Sequence, residues 1–119
     1  TKANIEAKGL SLVSSGTIGT KDNALTVNDT NYAYKSDYQA LGDINLKAQD
    51  KQYKKADVRY IISNNGDINA EFTGNARVKD TYSGNGNINV TNNTNKKMNL
   101  VNNGKTPNTT NENTYYDFK

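Results

Sequence analysis

The chain has 119 residues, a single domain's length, with 33% hydrophobic residues and a formal net charge of +3. It contains no Cys, His or Trp, which excludes disulfides, thiolate or imidazole metal sites and histidine acid–base chemistry. Leu, Ile, Val and Phe number only 21 of 119, a level at which disorder competes with folding, but the net charge is too small to hold the chain open by repulsion.

The apolar residues alternate rather than scatter. Ile5 and Ala7, then Leu10 and Leu12 beyond Gly9, read as two strands meeting at a glycine bend. Ser14-Ser15-Gly16 is a turn, and the stretch from Thr17 to Asn28 ends in a strand with Leu25 and Val27 inward. Residues 29–41 break the pattern, with Tyr32, Tyr34 and Tyr38 set among polar residues. They predict a Tyr-rich surface excursion. Its tyrosines either cover the coil, the favoured reading, or form an exposed aromatic patch on which a ligand stacks.

From Gly42 onward one phrase recurs: Gly42-Asp43-Ile44-Asn45, Gly66-Asp67-Ile68-Asn69, Gly86-Asn87-Ile88-Asn89, then Asn102-Asn103-Gly104. Each is a turn signal, and the first three open a strand, Ile44/Leu46, Ile68/Ala70 and Ile88/Val90. Between the turns a second strand steps by twenty residues through Val58, Val78 and Met98. A chain that returns to one local solution at this period predicts an all-β fold, a parallel β-helix or β-solenoid of about five coils over residues 1–104. Such a core is a narrow column, which suits the low apolar content. Asn, with 21 copies, favours turns because it bonds its own backbone and tolerates the left-handed conformation. The competing fold is an antiparallel sandwich, since Asn-Gly between alternating strands is also a hairpin cue. Residues 105–119 read as a polar linker and tail, with Tyr115–Phe118 a strand or docking segment. No secretion signal or membrane-spanning run is recognisable, and the opening in mid-pattern suggests a piece of something longer.

Candidate sites are few. Gly104-Lys105-Thr106 lacks the earlier glycine of a phosphate-binding loop, Asn99 standing in its place. Ser83–Val90 resembles a calcium-binding nonapeptide, but Ile88 occupies the required Asp position. Asp43 and Asp67 are expected to cap their own turns. Aligned on the twenty-residue step, the residue before the second strand is Asp57, Arg77 and Lys97, with Lys54, Lys55, Lys79 and Lys96 just outside it. Lys55, Arg77 and Lys97 suggest a basic stripe able to meet sulfated glycans or other acidic surfaces, against the plainer reading of a solvated face. Four Asn-x-Thr triplets fit the glycosylation sequon, a weak signal in a chain this rich in Asn and Thr. No cofactor or metal site is expected.

Two stretches carry a family likeness. Asn4-Ile5-Glu6-Ala7-Lys8-Gly9-Leu10-Ser11-Leu12 and Gly16-Thr17-Ile18-Gly19-Thr20-Lys21-Asp22-Asn23-Ala24-Leu25-Thr26-Val27 resemble repeats of large bacterial filamentous haemagglutinin-like adhesins, the exoproteins of two-partner secretion. The Gly-Asp-Ile-Asn units are similar to generic shaft repeats of the same family. The resemblance implies a right-handed parallel β-helix, extracellular or on the bacterial cell surface, acting in attachment and virulence. The family's secretion domain is not recognisable, so a shaft or distal segment is implied. The expected partners are a host-surface glycan or protein and the neighbouring coils of a longer chain, with no specific nucleic acid and no membrane insertion.

Two other functions compete. One is an extracellular β-sandwich binding module of a surface or pilus protein. The other is a fragment of a polysaccharide-active β-helix enzyme, which needs converging acids. Asp57, Glu71 and Asp80 fall at different offsets in the repeat, so no enzyme activity is expected.

Overall fold

A computed structural model describes residues 4–29, 35–49, 55–73, 75–92, 98–102, 108–109 and 114–118. Its strands are β1 (Ile5–Ala7), β2 (Ser11–Ser14), β3 (Leu25–Asp29), β4 (Ser36–Ala40), β5 (Ile44–Gln49) and β6 (Lys55–Ser63). They continue with β7 (Ile68–Thr73), β8 (Asn75–Val78), β9 (Thr81–Ser83), β10 (Ile88–Asn92), β11 (Met98–Asn102), β12 (Asn108–Thr109) and β13 (Thr114–Phe118). Among the described residues there is no helix.

The strands form two sheets. The first runs β1-β3-β5-β7-β10-β12, the second β13-β11-β8-β6-β4-β2, with β9 paired to β6. Odd and even passes of the chain thus alternate between sheets, and every ladder between described strands is parallel. That is a β-solenoid. The antiparallel sandwich is ruled out, because Ile68 and Ile88 are direct parallel partners.

Repetition in the sequence becomes register in the first sheet. Ile44, Ile68 and Ile88 stack, as do Leu46, Ala70 and Val90. These six are at most 3% exposed and form the spine of the core. Strand alternation then sends Asn45, Lys47, Asn69, Glu71, Asn89 and Thr91 to the outer face. The second sheet contributes Tyr38, Val58, Ile61 and Val78 to the same core. Inward positions in β6 are Val58 and Ile61, three apart, because the register against β4 slips at Arg59. The next coil repeats this kink at Lys79-Asp80, which divides β8 from β9 and keeps Val78 and Thr81 inward.

Several expectations change. The regular stack comprises about three turns, β5–β6, β7–β9 and β10–β11, rather than five, with less regular strands continuing each sheet at both ends. The expected excursion over 29–41 contains β4, a full member of the second sheet. Within the expected linker and tail over 105–119, β12 is an added strand, while β13 matches the strand reading of Tyr115–Phe118; the two extend the two sheets. The twenty-residue step holds from Val58 to Val78 and then fails: Leu100, not Met98, pairs with Val78. Two more residues separate Ile88 from Leu100 than Ile68 from Val78, and the register absorbs them.

The turns entering the first sheet are bonded to one another across coils. Ser63 Oγ donates to the Gly42 carbonyl at 2.7 Å and accepts from Gly66 N–H at 2.9 Å. Ser83 does the same with the Gly66 carbonyl and Gly86 N–H, both at 2.8 Å. Asp43 and Asp67 do not cap their own turns, contrary to the expectation from sequence. Asp43 Oδ1 accepts from Asp67 N–H, and Asp67 Oδ1 from Asn87 N–H, each at 2.8 Å, so each carboxylate holds the turn of the following coil. Asp67→Ala is therefore expected to cost about 1–2 kcal/mol in urea denaturation. Asp67→Asn, which keeps the acceptor oxygen, should cost less.

Candidate functional site

On the outer face of the second sheet the register sets Arg77 beside Asp57, as the twenty-residue step predicts. Lys55 pairs with Asn75, whereas Arg77 pairs with Asp57 on one side and Asn99 on the other. Lys97 lies outside the described residues, and the register places Asn99 where the repeat predicted it. Arg77 is committed locally: its Nη2 donates to Asp57 Oδ2 at 2.6 Å and its Nε to Oδ1 at 3.4 Å. The Asp57 side chain is 7% exposed and that of Arg77 48%. The bond to Asp57, then its charge, raises the Arg77 guanidinium above its ordinary range. Next to this pair, Lys79 is held below the usual lysine range, chiefly by its contact with Lys35. Arg59 Nε lies 3.4 Å from Asp37 Oδ1. The face thus carries two intercoil ion pairs and two neighbouring lysines. Arg77→Glu sets two carboxylates on adjacent rungs and is expected to destabilise the chain by about 2 kcal/mol, with Arg77→Lys recovering part of it. Thermal melts of the two variants measure this.

The aromatic patch is also corrected. Tyr38 is 1% exposed, packed in the core of β4 between the rungs of Leu12 and Ile61. Alternation along Ser36–Ala40 points it inward with Ser36 and Ala40, so it offers no stacking surface. Tyr32 and Tyr34 lie outside the described residues.

The outer face of the first sheet holds a feature that sequence reasoning missed. A groove of about 210 Å³ crosses β5, β7 and β10. Its floor is a row of amides: Asn69 Nδ2 donates to Asn45 Oδ1 at 3.1 Å, and Asn89 Nδ2 donates to Asn69 Oδ1 at 3.0 Å. The backbone register continues that row to Asn108. Beside it runs a second row, Lys47, Glu71 and Thr91, also rung by rung.

One wall comes from the loop before β3, which places Lys21 and Ala24 on the groove. That loop is anchored. Ile18 bridges Ile44 through Ile18 N–H to the Asp43 carbonyl at 2.9 Å and Asn45 N–H to the Ile18 carbonyl at 2.7 Å. Gly19 then takes a φ of +64°, and a Cβ there would sit 2.8 Å from the Leu25 nitrogen. Thr20 and Asn23 close the loop with reciprocal backbone bonds of 3.0 and 3.2 Å. The signal for the floor was in the sequence: Asn follows Ile44, Ile68 and Ile88 in the three recurring phrases. It reads as strand filler until the register aligns the three residues.

Chemically the groove offers amide donors and acceptors with charges of both signs. No group of three acidic, His or Cys side chains able to hold a metal occurs among the described residues. Asp57 lies on the second sheet, Glu71 on the first, and Asp80 at the kink of the second, so these acids do not converge.

No protein-family profile, curated protein or solved structure matches the chain.

Proposed function

We propose that this chain is a non-catalytic shaft and contact segment of a secreted or cell-surface bacterial filamentous adhesin, mediating attachment to host cells or surfaces. The observation that carries the reading is the parallel pairing of the described strands throughout both sheets, with near-identical turns at Ser63–Ile68 and Ser83–Ile88 bonded from coil to coil. Such a stack resists force along its axis through backbone ladders, and its outer faces remain free for contact. The segment winds to the right in this proposal, the hand that nearly all parallel crossover connections take. The separation of Asp57, Glu71 and Asp80 supports a non-catalytic role.

The test coats beads with the purified chain and counts their attachment to epithelial cells under flow. Attachment well above that of beads carrying an unrelated β-protein is expected. Attachment at the level of that control overturns the contact reading. Pulling single molecules tests the shaft: unfolding should proceed in coil-sized increments, roughly 70 Å of released chain for twenty residues.

A further inference from the structure

We propose that the groove on the outer face of the first sheet binds an uncharged, hydroxyl-rich glycan chain lying along the stacking axis, across β5, β7 and β10. This deepens the contact reading above and rests on it for its biological setting, though not for its chemistry.

Three observations favour that occupant. First, the floor repeats. Asn45, Asn69 and Asn89 occupy successive rungs, about 4.8 Å apart in a parallel ladder, so the surface presents the same groups at even intervals. A polymer of repeating units meets such a surface at several points, while a compact ligand uses only one.

Second, the Asn69 amide, at the middle of the row, keeps hydrogen-bonding capacity. A carboxamide carries two N–H donors and two acceptor lone pairs. Within the ladder Asn69 gives one N–H to Asn45 and accepts one bond from Asn89. A second N–H and a second lone pair remain on a side chain lining the groove. Hydroxyl groups, which donate and accept equally well, match this pairing. A purely acceptor ligand such as sulfate leaves the second lone pair of the Asn69 oxygen unused.

Third, a carboxylate interrupts the cations of the groove, Lys21 on the wall and Lys47 beside the floor. Lys47 and Glu71 sit on adjacent rungs beside the amide row, with Glu71 the middle residue of that second row and Thr91 beyond it. A sulfated chain running along the groove has to cross that carboxylate, whereas a neutral chain can donate a hydroxyl to it. The loop bearing Lys21 and Ala24 closes one side, so the ligand is held in a channel with a preformed wall.

The experiment titrates the whole chain with three neutral probes, cellohexaose, chitohexaose and mannohexaose, and with a heparin hexasaccharide, following backbone amide shifts by NMR. Saturable binding of at least one neutral hexasaccharide is expected, with the largest shifts at Lys47, Asn69, Glu71 and Thr91. Thr91→Tyr fills the groove with a side chain suited to strands. It should weaken that binding at least tenfold while leaving the melting curve in place. Lys47→Ala, a second and less intrusive change, should weaken it several-fold.

Failure of all three neutral probes to bind overturns the proposal. So does unchanged affinity in Thr91→Tyr, or binding of heparin alone with loss in moderate salt, which would assign recognition to basic side chains rather than to the amide row. The bead assay separates this inference from the adhesin reading. Beads that attach while no neutral probe binds sink the groove alone. Probe binding that Thr91→Tyr abolishes, on a chain whose beads never attach, sinks the adhesin reading alone.

Discussion

Gly66→Ala is expected to destabilise the stack by about 3 kcal/mol, a large share of a small domain's stability. The cause is backbone against backbone. A Cβ at Gly66 would lie 2.6 Å from the Gly42 carbonyl carbon and 2.5 Å from the Asp43 nitrogen, and would also strike Asp43 Oδ1. No rotamer change relieves contacts with main-chain atoms, so two coils must separate at the corner where Ser63 and Asp43 join them. Gly86→Ala meets the preceding turn in the same way, its Cβ 2.6 Å from the Gly66 carbonyl carbon. Gly16→Ala provides the control, because its nearest neighbour is Ser14 Oγ at 3.9 Å. Urea denaturation followed by far-ultraviolet circular dichroism should rank Gly66→Ala and Gly86→Ala far below the parent and Gly16→Ala close to it. Equal midpoints for all three variants would mean that the turns do not stack as described.

The second large effect belongs to Phe72. Its ring is 0% exposed and sits on the rung of Ala48, whose small side chain leaves room for it. Phe72→Ala removes most of the side chain from a column that has few large residues to spare, and is expected to cost about 3–5 kcal/mol. Phe72→Leu restores much of the volume and should cost about 1.5 kcal/mol or less. The same denaturation experiment distinguishes them. A Phe72→Ala variant as stable as the parent would contradict the placement of Phe72 at the centre of the core.

The regular turns were legible because sequence and geometry repeat together. Wherever Gly-x-Ile recurs, the isoleucines align and the strands are parallel. The reading failed where local composition and tertiary position disagree. Tyr38 lies among Ser, Asp and Gln, which suggest surface, yet alternation in β4 carries its ring into the core. The slip at Arg59 left no mark in the sequence, since an extra residue in one strand shows only against its partner. The Met98 step was misread for a related reason: a fixed offset counts residues, while the ladder follows hydrogen bonds. As for the sites, the basic stripe was built on that offset, which fits Asp57 and Arg77 but meets Asn99 rather than Lys97 in the next coil. The groove stayed hidden because its residues are ordinary ones, made distinctive by their neighbours on adjacent rungs.

The coil-to-coil match at Ser63/Ser83, Gly66/Gly86 and Ile68/Ile88 has a consequence for length. Excising residues 66–85 would join Asn65 to Gly86 and leave a Ser-Asn-Asn-Gly-Asn-Ile corner of familiar shape; duplicating them would insert one more storey. Unequal recombination at such a point changes the reach of the molecule in whole steps, with no new packing problem to solve at the junction. Height, in a chain of this kind, is a heritable trait that can drift upward or downward by simple copying errors.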